Sequence, residues 1–219
     1  MHRFGNANGG GCLMIDKVAS LIATVLVTIW STYLHAMSFT RHNAESPALN
    51  AIAATGKIEA GDSEGLLRYL STLPKKANTA VYLSSLGGSI AESLKLGYLF
   101  KQLRIKTVVE GDRPNNVCAS ACALAFLGGH DLQGRPWRSS TTNSLLGYHQ
   151  FYCGDGQRCV DEQTTVSFIL QYGREMEAPL EIFIAMFNQP PEGIYWFSTK
   201  ELCSLRIKVW DMSTKRFVC

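Results

Sequence analysis

Apolar positions along the chain follow two different patterns. From Val18 to Leu34 (VASLIATVLVTIWSTYL) they are nearly continuous and occupy every face of a helix, with Lys17 before the run and polar SFTRHNAES after it. A core-facing surface helix keeps a polar stripe, so this run reads as the hydrophobic region of a secretion signal or a short membrane anchor. From Ala51 onward, short β-rich runs alternate with stretches whose apolar residues recur at helical spacing. Thr79 to Ser84 (TAVYLS) predicts a strand that runs into Leu86-Gly87-Gly88-Ser89. IAESLKLGYLFKQLRI follows, apolar at positions 90, 94, 96, 99, 100 and 103. Lys106 to Glu110 predicts a second strand, GDRPNN a loop, and Ala119 to Leu127 (ASACALAFL) a small-residue helix closed by Gly128 and Gly129. Ser144 to Gln150 predicts a third strand. Upstream, GKIEA offers a short strand, and Asp62 or Ser63 caps an amphipathic helix stopped by Pro74. Beyond His149 come a helix from Asp161 to Met176, another after Pro179, a capping box opening at Ser198 and the strand-like run LRIKVW. The pattern divides the chain into 1–37 (signal peptide or N-terminal membrane anchor), a polar linker at 38–50 containing Pro47, and a folded domain at 51–219. Alternating β and α predicts an α/β layered domain.

Composition narrows the class. The chain has 219 residues, 46% hydrophobic and 18% charged, with mean hydropathy near zero, which fits one medium globular domain. Lys and Arg total 21 against 18 Asp and Glu, with no basic run to track a phosphate backbone, so nucleic acid is not an expected partner. Seven cysteines without a CxxC pair point to an oxidising compartment rather than a zinc ribbon, in keeping with export to the periplasm or exterior. Cleavage after Ala36 would remove Cys12 and leave an even number, as disulfides require.

Cys153 and Cys159 flank GDGQR and form the expected disulfide. Cys118 and Cys122, four apart on a helix, stack one turn from each other and are not expected to bond to each other; pairing with Cys203 or Cys219, or a small-hydrophobe role, stays open. The H-x3-C-x5-C spacing of His149, Cys153 and Cys159 fits no standard zinc pattern, so no metal is expected. No phosphate-binding Walker motif and no cofactor fingerprint occur either.

Acyl transfer needs a nucleophile, a base and N–H donors at the forming oxyanion. Ser120 opens the small-residue helix, where free N–H groups and the helix dipole favour negative charge; its plainer reading is a simple N-cap. His149 ends a strand and is either a base or a structural histidine. Gly87 and Gly88 turn backbone N–H groups into a cavity or merely make a tight turn. A thiol nucleophile at Cys118 or Cys122 is disfavoured by an oxidising compartment.

Together, VYLSSLGGSIAESLKLGYLFKQLRIKTVV, CASACALAFLGG and LLGYHQ resemble the Clp-type serine proteases of the Clp/crotonase superfamily, specifically their exported bacterial relatives. The resemblance spans roughly Ile52 to Val209. It implies a layered fold of repeated β-β-α units, a homo-oligomer and a peptide or protein substrate. It also implies Ser120 as nucleophile, His149 as base, and an oxyanion hole from the N–H groups of Gly88 and Ala121, with Gly87 shaping the turn. The chain departs from the family pattern twice. Leu86 stands where proline is usual, and the region of the family's third catalytic residue, FNQPPEGIYWFS, contains no Asp. Asn188 is the nearest polar residue and the weak third member; Glu192 is the nearest carboxylate. The expected activity is therefore peptide hydrolysis by a Ser/His dyad or imperfect triad. The rival readings are a non-catalytic exported scaffold of the same fold and a crotonase-like acyl-CoA enzyme.

Overall fold

Strands β2 (Leu49–Thr55), β3 (Asn78–Ser84) and β4 (Ile105–Val109) each turn one row of aliphatic side chains inward, and these rows meet the apolar faces of the helices between them. The computed structural model describes residues 36–43, 48–75, 78–111, 116–151 and 162–219. The apolar run at 18–34 and the expected Cys153–Cys159 bridge lie outside them. No described helix is long and apolar enough to cross a membrane.

A seven-stranded sheet has the order β1-β2-β3-β4-β6-β9-β10, with β1 at Ser38–Arg41, β6 at Arg138–Thr141, β9 at Lys208–Asp211 and β10 at Arg216–Phe217. β2, β3, β4, β6 and β9 run parallel, and the two outermost pairs are antiparallel. A second sheet, β5-β7-β8, is built from Val117–Ala119, Leu145–Tyr148 and Tyr195–Trp196. An isolated parallel bridge from Ser85 to Cys118 ties the two sheets together, and another, Ile58 to Gly88, joins the chain beyond β2 to that beyond β3. Parallel strands require crossovers, supplied here by α1 (Asp62–Ser71), α2 (Ile90–Gln102) and α3 (Ala121–Phe126). Helices α4 (Glu162–Glu175), α5 (Leu180–Asn188) and α6 (Thr199–Ser204) follow, the last opened by the capping box expected at Ser198.

The layered α/β class is as expected, with four local corrections. The ends of the 38–50 stretch are not linker: β1 pairs with β2, Phe39 packs against the core, and β2 begins at Leu49. A single aromatic among polar neighbours carries no alternation to read. GKIEA forms only single bridges at Lys57 and Ile58, not a strand. The helix placed at 119–127 starts at Ala121, because Cys118 and Ala119 belong to β5. Strand β6, RSST, is buried along its whole length between β4 and β9 and shows no hydrophobic signature.

Helix α3 is the centre of the packing. All six of its residues are buried, and Ala and Cys side chains let it lie close to its neighbours. A Cβ on Gly128 would sit 2.2 Å from the Gly97 carbonyl of α2. A buried helix must find partners for its last carbonyls. Tyr148 Oη donates to Ala123 O (2.9 Å), Tyr172 Oη to Leu124 O (2.8 Å) and Thr107 Oγ1 to Phe126 O (2.8 Å). At the start of α2, Ser89 caps the helix, and the buried Glu92 accepts from Ser63 N–H (2.8 Å) and Ser63 Oγ (2.6 Å), tying α2 to α1. Both helices that flank the glycine turn and the serine are thus anchored.

Cys203 of α6 is bonded to Cys219, sixteen residues on, which answers for these two cysteines what spacing leaves open. Closing a loop of that length constrains the unfolded chain by about 3 kcal/mol. The variant Cys203→Ala/Cys219→Ala is expected to melt roughly 6–12 °C lower in a calorimetric scan.

Candidate active site

Ser120 joins β5 to α3 by a turn that few residues tolerate. Its backbone has φ 57° and ψ −125°, a region disfavoured by a Cβ and found where surrounding structure enforces it. It occupies the N-cap position, but its hydroxyl makes no capping bond, so the simple N-cap reading fails. The backbone holds it on both sides. Ser120 N–H donates to Gly147 O (3.1 Å), and Ser120 O accepts from Ala123 N–H (3.0 Å) and Leu124 N–H (3.3 Å). A sharp strand-to-helix turn of this kind presents a hydroxyl outward while the first N–H groups of the helix stay unpaired.

The glycine turn packs directly on this elbow. A Cβ on Gly87 would lie 2.8 Å from Ser120 Cβ, 3.0 Å from Ala119 O and 3.1 Å from Ala121 N. Gly87 and Gly88 have φ of 109° and 143°, which L side chains rarely adopt. Ser85 fixes the turn: its N–H donates to Val117 O (2.7 Å), its carbonyl accepts from Ala119 N–H (3.0 Å), and its Oγ accepts from Gly87 N–H (3.1 Å). With Gly87 N–H so occupied, the N–H groups of Gly88 and Ala121 take no acceptor among the described residues. Ser85 is a positioning residue that the sequence reading missed; its only signal is a buried-type serine directly before the glycine turn. A cleft of about 640 Å³ opens beside the turn, lined by Thr55, Gly56, Lys57, Ser85, Leu86, Gly88 and neighbours. Leu86, in the position of the missing proline, is 71% exposed there.

His149 follows β7, the strand paired with β5. The parallel register sets Ala119 opposite Gly147, so Ser120 and His149 emerge at the same ends of adjacent strands. Burial holds the imidazole below the usual histidine value, outweighing the backbone groups of Gln150 and Pro191 that favour the charged ring. Its Nδ1 is buried and has no hydrogen-bond partner among the described residues. Asn188, the expected third member, therefore does not orient it. Asn188 is exposed at the end of α5 and lines a separate cavity of about 1070 Å³ with Arg138, Glu177, Tyr195 and Arg206. That larger cavity contains neither Ser120, His149 nor the glycine turn. Glu192 is likewise exposed. No described cluster of three or more His, Cys, Asp or Glu side chains is arranged to hold a metal.

The cysteines around Ser120 correct the expectation most sharply. Cys118 and Cys122 are bonded to each other, with Cα atoms 5.2 Å apart. The expectation assumed one helix, whereas Cys118 lies in β5 and Cys122 in α3, and the turn at Ser120 folds one back toward the other. Both are fully buried.

No protein-family model matches the chain, and no curated protein matches it. Solved structures do. A mutant of the 1510-N membrane-bound stomatin-specific protease is similar at 15% identity and a TM-score of 0.52, over 74% of this chain and 77% of that one. ClpP1 from Listeria monocytogenes is similar at 17% identity and a TM-score of 0.52, over 71% of this chain and 86% of that one. At such identities the likeness is one of architecture, and what it establishes is that this chain has a Clp-protease-like α/β fold.

Proposed function

We propose that this chain is a serine peptidase that works through a Ser120/His149 dyad, exported or anchored by its N-terminal segment and assembled as a homo-oligomer. The observation that carries the reading is the contact between two turns of unusual backbone conformation, the strained Ser120 elbow and the left-handed Gly87-Gly88 turn. Together they set a nucleophile beside two N–H groups that take no acceptor among the described residues. The structural likeness to a stomatin-specific protease supports the same chemistry, and two disulfides, one buried and one reaching the surface at Cys219, suit an oxidising compartment. No observation favours the acyl-CoA reading.

A peptide occupies the cleft beside Leu86 and Lys57 with its scissile carbonyl over Ser120. His149 takes the proton of Ser120 Oγ as the oxygen attacks, and the oxyanion receives the N–H groups of Gly88 and Ala121. His149 then protonates the leaving amine, and water releases the acyl-enzyme by the same path. With no carboxylate at Nδ1 among the described residues, imidazolium gains no stabilisation by charge there, so turnover is slow.

The test is labelling of the purified chain with a fluorophosphonate serine-hydrolase probe. Labelling of the folded wild type, mapped to Ser120 and lost in His149→Ala, supports the peptidase; a folded wild type that never labels leaves a scaffold protein. The histidine also sets a pH signature. Its lowered pKa keeps the ring neutral, and so able to accept a proton, to a pH below the ordinary value of about 6.5. The acid limb of the labelling rate is expected below that pH. The sign follows for stability too: the unfolded histidine protonates first as pH falls, so this group destabilises the fold on acidification, from the ordinary histidine pKa downward.

A further inference from the structure

We infer that the Cys118–Cys122 disulfide is a positioning crosslink for the nucleophile: by closing a ring around Ser120 it holds the serine in its reactive conformation, so the dithiol form of the same fold is inactive. The inference rests on the peptidase reading above and adds a covalent requirement to it.

The argument starts from what keeps Ser120 at φ 57°. Hydrogen bonds fix the two flanks separately. Ala119 N–H is bound to Ser85 O and Ser120 N–H to Gly147 O on the strand side, and Ser120 O receives Ala123 and Leu124 N–H on the helix side. These hydrogen bonds resist a change in the angle between strand and helix, which a relaxation of Ser120 would open, but they do not lock it covalently. The disulfide does, because it spans the turn from the second residue of β5 to the second of α3. A disulfide tolerates only a narrow range of Cα separations, roughly 4.4–6.8 Å, and the pair here sits within it at 5.2 Å. Opening the elbow stretches that separation. Gly87 presses on Ser120 Cβ from the other side, so the crosslink and the glycine turn together over-determine the strained residue.

A purely packing role would not need this chemistry. The pair lies within a tight core of alanines, where two small apolar side chains fill the same space. Nor does a ring with a sequence separation of four constrain the unfolded chain as strongly as the separation of sixteen between Cys203 and Cys219. Its effect is concentrated on the native turn. Forming the bond removes two protons and two electrons from the thiols, which pass to the disulfide of an oxidising dithiol protein, itself released as a dithiol. Because both sulfurs are fully buried, the exchange precedes closure of the core. The site is then completed only where the chain folds under oxidising conditions.

The experiment compares oxidised wild type, wild type unfolded and refolded in reductant, Cys118→Ala/Cys122→Ala, and Cys203→Ala/Cys219→Ala as the control crosslink. Two quantities are read on each: the fluorophosphonate labelling rate at Ser120, and the three-bond HN–Hα coupling of Ser120, which reports φ. Reduced chain and Cys118→Ala/Cys122→Ala are expected to keep native near-UV circular dichroism but label roughly a hundred-fold more slowly, as for an ångström-scale misplacement of a nucleophile. Their Ser120 coupling leaves the left-handed value, and reoxidation of the reduced chain restores both. The control keeps the wild-type rate and coupling. Unchanged labelling and coupling after loss of this bond overturn the inference. Should the oxidised wild type fail to label, the peptidase reading falls, and the coupling alone decides whether the bond sets the turn. If the alanine pair does not fold, the reduced wild type, whose side-chain volume is intact, gives the answer.

Discussion

Ser120→Ala is expected to abolish fluorophosphonate labelling and to lower peptide hydrolysis by on the order of 10², less than in a complete triad. The reasoning is subtractive. Loss of the serine from a full triad costs about 10⁶ in kcat, and loss of the acid alone about 10⁴. Among the described residues no acid stands at His149 Nδ1, so most of that advantage is already absent and only the remainder can disappear. Stability should move little, within about 1 kcal/mol, since the Ser120 hydroxyl makes no capping bond. Urea denaturation beside the labelling assay separates the two effects. A full 10⁶-fold fall would mean that some group outside the described residues supplies the missing charge to His149.

Gly88→Ala is expected to be the most damaging single substitution near the site, destabilising by on the order of 3 kcal/mol and removing labelling. Its φ of 143° is strained for any L side chain, and a Cβ would fall 2.1 Å from Ile58 O and 2.9 Å from Ile58 N. Those atoms are backbone, held by Ile58 N–H to Gly87 O (2.9 Å) and Ser89 N–H to Ile58 O (2.9 Å), so they cannot yield as a side chain would. Gly61→Ala provides the comparison. Gly61 also has positive φ, 98°, but a Cβ there meets nothing within 4 Å. It should cost about 1 kcal/mol, the backbone term alone. Denaturation midpoints of the two variants test the difference; equal losses would mean that the Ile58 contact is not rigid.

The local patterns that survive in the structure are those whose cause is local. β3 and α2 follow from aliphatic alternation and helical spacing, the capping box at Ser198 from two side chains three residues apart, and the glycine turn from the backbone freedom of Gly87 and Gly88. Ser120 was visible as the first residue before a small-residue helix, and the Clp-like order of turn, serine and histidine made the architecture legible across most of the chain.

Other features depend on partners distant in sequence. Strand β6 reads as RSST, with nothing apolar to mark it, and becomes a central strand because β4 and β9 supply its hydrogen bonds. Phe39 gains a strand for its polar neighbours only through β2. Asn188 lies in the right interval of sequence, yet α5 turns it to a different cavity and leaves His149 Nδ1 alone. Cys118 and Cys122 stand four apart in any reading, but whether such a pair can bond depends on the backbone angle at the residue between them. A helix would keep them apart, whereas the strained turn that brings them together is held by contacts from Ser85 and Gly87, just after β3, and from Gly147 of β7, with the bond itself closing it. The sequence by itself determined which residue types stand at the turn; packing between layers decided the angle at which they meet, because backbone strain persists only where tertiary contacts outweigh it.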